Sequence, residues 1–351
     1  MTKLLIAASG TGGHLFPALA VAQKLQDYQI EWLGVPDRLE KNLVPVNYPL
    51  HTISVEGFQQ GLSLKSLKVV QRLISSVFQV RKLLRELQID GILTTGGYIA
   101  APTILAARLQ GLPVLLHESN ALPGKVTRWF STWCHTCALG FQISAQYLPR
   151  ANTVWVSTPV RSSFLTPQHL DLPIPESAPL IVVVGGSQGA VAVNQLVRHC
   201  APAWFEMGAY LVHLTGDRDT EANSLQHPQY ISLPFYDNMA GLLQRANLAI
   251  SRAGAGTLTE LAITKTPSIL IPYPYAAEDH QAVNAQVFAD GSAALVYRQE
   301  SLTNQLLKTK VLELLQSPTQ LATMAEQAGN LAVADSAQQL ADLVREMVVS
   351  D

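Results

Sequence analysis

Charge is scarce in this chain. Lys, Arg, Asp and Glu make up 14% of its 351 residues, with 24 basic against 26 acidic side chains and a net charge of -2. So even a balance excludes a general nucleic-acid binder, which needs a basic surface to displace counterions. Cysteine is scarcer still, at three residues. Cys134 and Cys137 form a lone CxxC with no second pair to complete a tetrahedral zinc site, so they read as reduced thiols in packing and no metal site is expected. Although 48% of the residues are hydrophobic, no run reaches the length of a membrane span. Met1 leads straight into a strand-like run, Leu4 to Ala8, so no signal peptide is expected. There is no GxxxxGK[ST], which argues against a P-loop ATPase, and no glycine turn is a GxGxxG followed by an acid at the usual distance, which argues against a nicotinamide enzyme. Nor is there a DxD-like acidic pair to hold a divalent ion.

What the chain does have is repetition of one pattern. Its length exceeds what one core usually carries, so two domains are expected. Strand-like runs alternate with helical ones, the signature of parallel α/β architecture. Lys3 to Ala8, Leu50 to Val55, Gly91 to Thr95 and Pro113 to Leu116 read as strands of a first domain. Ser9 to His14 is a glycine-rich turn into a helix with Pro17 expected in its first turn, and Thr95-Gly96-Gly97-Tyr98 is a second such turn. The last strand delivers His117-Glu118-Ser119-Asn120 to its carboxyl end, where ligands bind in open α/β sheets. From Ser157 to Ala178, Pro159, Pro167, Pro173 and Pro175 break the periodicity, and the stretch reads as a linker. The pattern then restarts with Leu180 to Val184 and a third glycine turn, Gly185 to Gly189. It continues through Tyr210 to Leu214, Tyr230 to Leu233 and Ser268 to Ile271. The boundaries expected are 1–158 and 159–335, with a helical segment at 336–351 crossing back to the first domain.

The stretch from Asn247 to Ala262, NLAISRAGAGTLTELA, carries most of the argument. It reads as a short strand, a loop with Gly254 and Gly256, and a helix opening at Thr257. Glycines let backbone amides approach a ligand, and the helix end adds its positive pole, which together make a phosphate site. Glu260, three residues after Thr257, has two readings. One is a capping box with Thr257 as N-cap. The other is a carboxylate accepting hydrogen bonds from ribose hydroxyls. The loop alone favours the cap. Several such turns at strand-to-helix junctions of two domains point to a diphosphate.

These residues resemble a known family. GTGGHLFPALA (Gly10 to Ala20), HESNALPGK (His117 to Lys125), TPVR (Thr158 to Arg161), GGSQGA (Gly185 to Ala190), SRAGAGTLTELA (Ser251 to Ala262) and DHQAVNA (Asp279 to Ala285) are together similar to the MurG family. These are bacterial enzymes that add N-acetylglucosamine to lipid I, making lipid II for peptidoglycan. The resemblance implies the GT-B glycosyltransferase fold, two Rossmann-like domains facing across a cleft, the second binding UDP-N-acetylglucosamine and the first the lipid-linked acceptor. It implies a peripheral protein of the cytoplasmic face of the bacterial plasma membrane, working in cell-wall growth, shape and division beside other cell-wall synthesis proteins. It implies no cofactor. It turns the reading of Glu260 to the ribose, within a donor loop of Ala255, Gly256, Thr257, Leu258 and Thr259. Ser187, with Gln188 beside it, and Arg161 match positions at the donor diphosphate. Phe235 and Tyr236 fall where backbone reads uracil. Gln281 and Asn120 match contacts to the N-acetylglucosamine hydroxyls, and Thr11, Gly12 and Gly13 the loop at that sugar. Gly96, Gly97, Tyr98 and Asn120 are the expected acceptor side. Ser119 replaces the family's usual glutamine, and Ser157-Thr158 its usual glycine-asparagine.

Inverting transfer needs a base for the acceptor hydroxyl and a stabiliser for the departing diphosphate. The glycine turns and Arg161 supply the second. For the base there are three candidates: His14, which closes the first glycine loop where a helix begins, and His117 and Glu118 on a neighbouring strand end. A last feature is the segment Leu62 to Arg85, with Lys65, Lys68, Arg72, Arg81, Lys82 and Arg85 but no acid. Leu73, Val77, Phe78 and Val80 supply apolar surface. A solvated helix face is the ordinary explanation. With a lipid-linked acceptor, docking on an anionic membrane surface is expected instead, each basic residue near the headgroups adding about 1 kcal/mol.

Overall fold

The computed structural model describes residues 1–36, 38–55, 64–186 and 189–349, with backbone alone for 64–70. Contacts divide the chain into two units: Met1–Arg161, which takes back the chain from Val333 on, and Ser162–Ala332.

The first unit is built on a parallel sheet of seven strands. In chain order its elements are β1 (Lys3–Ala7), α1 (Gly12–Ala22), β2 (Gln29–Gly34), α2 (Glu40–Leu43), β3 (Leu50–Thr52) and α3 (Leu64–Leu87). There follow β4 (Gly91–Thr94), α4 (Ala100–Arg108), β5 (Val114–Glu118), α5 (Lys125–Phe130), β6 (Thr136–Leu139) and β7 (Thr153–Trp155). The strand order is β3-β2-β1-β4-β5-β6-β7. A sheet covered on both faces needs apolar residues at every position of its central strands, and β1 shows it. Leu4 and Ile6 pack with Leu15, Ala18 and Val21 of α1 on one face, while Leu5 and Ala7 pack with Val80, Leu84 and Ile104 on the other.

Helix α1 begins at Gly12, because the Thr11 carbonyl already accepts the N–H groups of His14 (3.0 Å) and Leu15 (3.2 Å). Pro17 therefore lies in the second turn, not in the first as the sequence suggested. The third strand is also shorter than expected, and β5 is longer, running through His117 and Glu118 because both pair with β6. In α3 the buried stripe is Ser76, Val80 and Leu84 at successive i+4 positions, with Val77 packed beside it. Val80 is thus core and leaves the expected membrane-facing set.

The second unit holds a six-stranded parallel sheet. Its elements are β8 (Leu180–Val184), α6 (Val191–Phe205), β9 (Tyr210–Leu214), β10 (Tyr230–Leu233), α7 (Met239–Arg245), β11 (Leu248–Ser251) and α8 (Ala255–Ile263). After them come β12 (Ser268–Leu270), α9 (His280–Asp290), β13 (Ala294–Val296), α10 (Asn304–Leu315) and α11 (Pro318–Asn330). The order is β10-β9-β8-β11-β12-β13. The proline-rich stretch read as a linker belongs in part to this unit. Arg245 donates to the carbonyls of Pro175 (3.0 Å), Glu176 (2.6 Å) and Ala178 (2.7 Å), and the Gln168 N–H donates to Gln244. Prolines cannot satisfy one another, so a cationic fork and an amide from α7 hold the segment instead. The closing helix, α12 (Ser336–Val349), joins the first unit's core through Leu340, Ala341, Val344 and Met347.

Candidate functional site

Each sheet has one place where the chain, having run outward in one direction, restarts in the other. That switch point is where open α/β sheets bind ligands. In the first unit it lies between β1 and β4, and the loops leaving these strands are Ala8 to Thr11 and Thr95 to Ile99. In the second it lies between β8 and β11, whose loops are the Gly185 to Gly189 turn and Arg252 to Gly254. All four glycine turns of the sequence are therefore at the two switch points.

In the first unit, His14 Nδ1 lies 2.7 Å from the Thr95 carbonyl oxygen. A carbonyl only accepts, so Nδ1 donates, and in the neutral ring the lone pair is on Nε2. Gly96 (φ 86°) and Gly97 (φ 74°) make the turn beneath the ring, and a Cβ at Gly97 would stand 3.6 Å from Nε2. Tyr98 is exposed beside them. The ring is thus oriented through Nδ1, which leaves Nε2 as the nitrogen able to take a proton.

The other two candidate bases are placed differently. His117 is fully buried, its Nε2 donating to the Ser157 carbonyl (3.0 Å) and Nδ1 facing the Ser119 hydroxyl (3.4 Å). Burial lowers its pKa to about 4. Glu118 is 6% exposed, and its carboxylate already accepts from the Asn120 N–H (3.0 Å) and side-chain amide (3.2 Å), the Gly124 N–H (3.0 Å) and the Thr127 hydroxyl (2.6 Å). Neither presents a free basic atom to a substrate. Glu118 instead shapes the loop that carries Asn120, whose own carbonyl accepts the Ser144 hydroxyl (2.9 Å). Of the three candidate bases, His14 is the half-buried one, with a single ring nitrogen bonded among the described residues.

Arg161 is the last residue of the first unit, not a member of the second as its expected role suggested. Its guanidinium lies 4.7 Å from the centroid of the Phe16 ring. Phe16 in turn covers Gly12, where a Cβ would meet the ring at 2.7 Å, so a larger residue there would push the Phe16 ring from its place under Arg161. Thr11 and Gly13 are exposed at that end. The sequence reading missed Glu40. Its buried carboxylate accepts from the Ser9 hydroxyl (2.5 Å), the Val35 N–H (2.8 Å) and the Gly10 N–H (3.4 Å), fixing the first glycine loop from behind. No motif marks it.

In the second unit α8 starts at Ala255 with Gly254 as its N-cap, and no side chain caps it. Thr257 is therefore the third helical residue and Glu260 the sixth, a turn beyond reach of the cap. The capping box read from the sequence does not form. Gly256, Thr257 and Glu260 are part-exposed, whereas Leu258 is core and Thr259 is buried with its hydroxyl on the Ala255 carbonyl (3.0 Å). Gly189 (φ 76°) fits closely under β9, since a Cβ there would collide with the Thr215 carbonyl oxygen. Ser187 and Gln188 lie outside the described residues. Phe235 (65% exposed) and Tyr236 follow β10 at the same carboxyl edge. Gln281 is the second residue of α9, its side-chain oxygen accepting the N–H groups of Ala253 (3.2 Å) and Tyr273 (2.9 Å).

Two buried histidines give the fold a pH dependence. Burial lowers His117 to about 4 and His213 to about 3, the latter held between Tyr230 and Asn194. Both folded values lie below the ordinary value of about 6.5. Hence the unfolded chain binds the extra protons. Stability from these groups is complete above pH 6.5 and falls as pH drops toward 4, by roughly 1.4 kcal/mol per pH unit for each histidine. Thermal melts should show Tm declining steadily from pH 7 to pH 5, less steeply in His117→Gln. A flat Tm over that interval would contradict the assignment.

Comparison with known proteins fits this arrangement. Residues 4–139 match the profile of the glycosyltransferase family 28 N-terminal domain, and residues 180–340 that of the family 28 C-terminal domain. Fold and paired switch-point loops thus define a two-domain glycosyltransferase of the GT-B class. A protein of Gloeothece citriformis is 74% identical over 98% of this chain and 95% of its own. One of Rippkaea orientalis is 68% identical over 99% of both chains. Both are called UDP-N-acetylglucosamine--N-acetylmuramyl-(pentapeptide) pyrophosphoryl-undecaprenol N-acetylglucosamine transferase. The crystal structure of Acinetobacter baumannii MurG superposes with a TM-score of 0.78 at 30% identity, covering 99% of this chain and 100% of that one. The chain belongs to the MurG family of N-acetylglucosamine transferases.

Proposed function

We propose that the chain carries out its family's reaction in full. It transfers N-acetylglucosamine from UDP-N-acetylglucosamine, with inversion, to the C4 hydroxyl of the N-acetylmuramyl unit of lipid I, giving lipid II for peptidoglycan synthesis. The near-complete likeness to the Gloeothece protein carries this reading. The geometry supports a division of labour. His14 Nε2 takes the acceptor proton as the oxygen attacks the anomeric carbon, with Gly96, Gly97, Tyr98 and Asn120 around it as the acceptor side. The amides of the glycine turns, the N-terminus of α8 and the Arg161 charge meet the negative charge that grows on the leaving diphosphate. Glu260 holds the ribose, Gln281 the sugar hydroxyls, and the backbone at Phe235 and Tyr236 the uracil.

Membrane contact is part of the proposal. Among the described residues no helix is long and apolar enough to cross a membrane. On α3, however, Ile74 (52% exposed) and Phe78 (60% exposed) stand one turn apart on the outer face. Arg72, Lys82 and Arg85 are exposed around them, while Leu73 and Arg81 are half-buried. The Lys65 and Lys68 side chains lie outside the described residues. An apolar ridge flanked by cations suits peripheral docking on an anionic leaflet, here the cytoplasmic face where the acceptor's headgroup lies.

Two experiments test the two parts. Radiolabelled UDP-N-acetylglucosamine with a vesicle-borne lipid I analogue should give a labelled lipid. Label released only as free sugar, or accepted only by a soluble glycan, would favour the alternatives, an epimerase-like protein or a soluble-acceptor transferase. Cosedimentation with anionic vesicles should be weakened by salt, which screens over about 8 Å at physiological strength, yet not abolished. Ile74→Ser/Phe78→Ser/Lys82→Glu should lose most of the binding. Equal cosedimentation of variant and wild type would refute docking through α3.

A further inference from the structure

Helix α9 carries Gln281, and how that helix is aimed is decided outside it. Two consecutive residues before it, Glu278 (φ 52°, ψ 25°) and Asp279 (φ 57°, ψ 29°), are left-handed although neither is glycine. L-residues leave this region readily, so something must hold them there. Arg298, two residues past β13, does so with a fork. Its two terminal nitrogens donate to the two Asp279 carboxylate oxygens at 2.8 and 2.7 Å. The pair is about half exposed on both sides, so its bare attraction is screened and adds little to global stability. What a two-pronged bond adds is geometry, since it fixes the carboxylate plane as well as its distance.

That geometry reaches Gln281 within two residues. The Gln281 side-chain oxygen is spent on the Ala253 and Tyr273 N–H groups. Asn284, one turn on and fully buried, donates to the Ala253 carbonyl (3.2 Å). The start of α9 therefore grips Ala253, in the loop ahead of α8, by both its backbone groups. With its oxygen engaged, the Gln281 amide has only its NH2 to offer a ligand, and the direction of that NH2 follows the first turn of α9. Next to Arg298, the Gln299 side-chain oxygen accepts from Arg252 Nη2 (2.6 Å), tying the same segment to the same loop.

We propose that Arg298 is a positioning residue for recognition of the donor's sugar: by clamping Asp279 left-handed it sets the start of α9 and aims the Gln281 amide at the sugar hydroxyls. The proposal rests on the reading of Gln281 as a sugar contact. It makes a demand that a merely structural pair would not, namely that the loss falls on the sugar and not on the nucleotide.

Isothermal titration of the full chain with UDP-N-acetylglucosamine and with UDP separates the two. Arg298→Met should weaken the nucleotide sugar by about tenfold and UDP by less than about twofold, with Tm nearly unchanged. Arg298→Lys, which keeps the charge but not the fork, should retain only part of the affinity for the nucleotide sugar. In a Gln281→Ala background, Arg298→Met should add nothing further. Equal losses for both ligands, or additive losses in the double variant, would overturn the clamp. If Gln281→Ala alone binds the nucleotide sugar as wild type does, the sugar-contact reading of Gln281 fails, and the proposal fails with it.

Discussion

His14→Ala should lower kcat by roughly 10²–10⁴-fold, the usual worth of a positioned general base. The donor's Kd should stay within a factor of a few, because the contact proposed for His14 is with the acceptor hydroxyl, and the residues proposed to hold the nucleotide's uracil and ribose belong to the other unit. The expectation follows from the tautomer. With Nδ1–H committed to the Thr95 carbonyl at 2.7 Å, the lone pair is on Nε2 and the ring cannot turn away without breaking that bond. His14→Gln offers a sharper version, since it retains a hydrogen-bonding side chain of similar reach without a basic nitrogen. Steady-state rates with saturating donor and a lipid I analogue measure both. A kcat within tenfold of wild type in His14→Ala would remove the residue from proton transfer. Because His117 and Glu118 have their polar atoms engaged within the protein, it would also point to solvent as the proton acceptor.

Much of the fold that carries the candidate site was legible in the sequence, for a physical reason. Strands such as Leu180–Val184 are apolar at every position because helices cover both faces, and glycines such as Gly96 and Gly189 are demanded by left-handed turns. Such constraints are local, so they are written locally. What failed to show was set by partners distant in sequence. Thr257 and Glu260 carry the spacing of a capping box, but α8 starts two residues earlier, where Gly254 provides the extended cap conformation. His117 and Glu118 read as a strand end exposed to ligand, yet pairing with β6 extends β5 through both and buries them. The apolar residues around α3 gave no face until packing assigned Val80 inward and Phe78 outward. Glu40 was invisible because a carboxylate that grips a loop from another helix leaves no spacing to read.

Glu260→Ala should raise the donor's Kd by about 10- to 100-fold, the equivalent of 1.5–3 kcal/mol for hydrogen bonds to a charged acceptor. The structure separates this effect from stability more cleanly than the sequence did. With Gly254 as the cap, Glu260 is the sixth helical residue and not the third-position partner of a capping box, and alanine suits a part-exposed position in a helix interior. Tm should therefore move by no more than a few degrees while binding falls. The assignment to ribose has its own signature. A donor whose ribose lacks one hydroxyl should bind wild type more weakly than the natural donor does, and Glu260→Ala should discriminate much less between the two. Glu260→Gln should fall between, keeping an acceptor but not its charge. UDP itself contains the ribose, so it should lose affinity alongside UDP-N-acetylglucosamine, the opposite of the split expected for Arg298→Met. Wild-type affinity for UDP in Glu260→Ala would remove the carboxylate from the donor site.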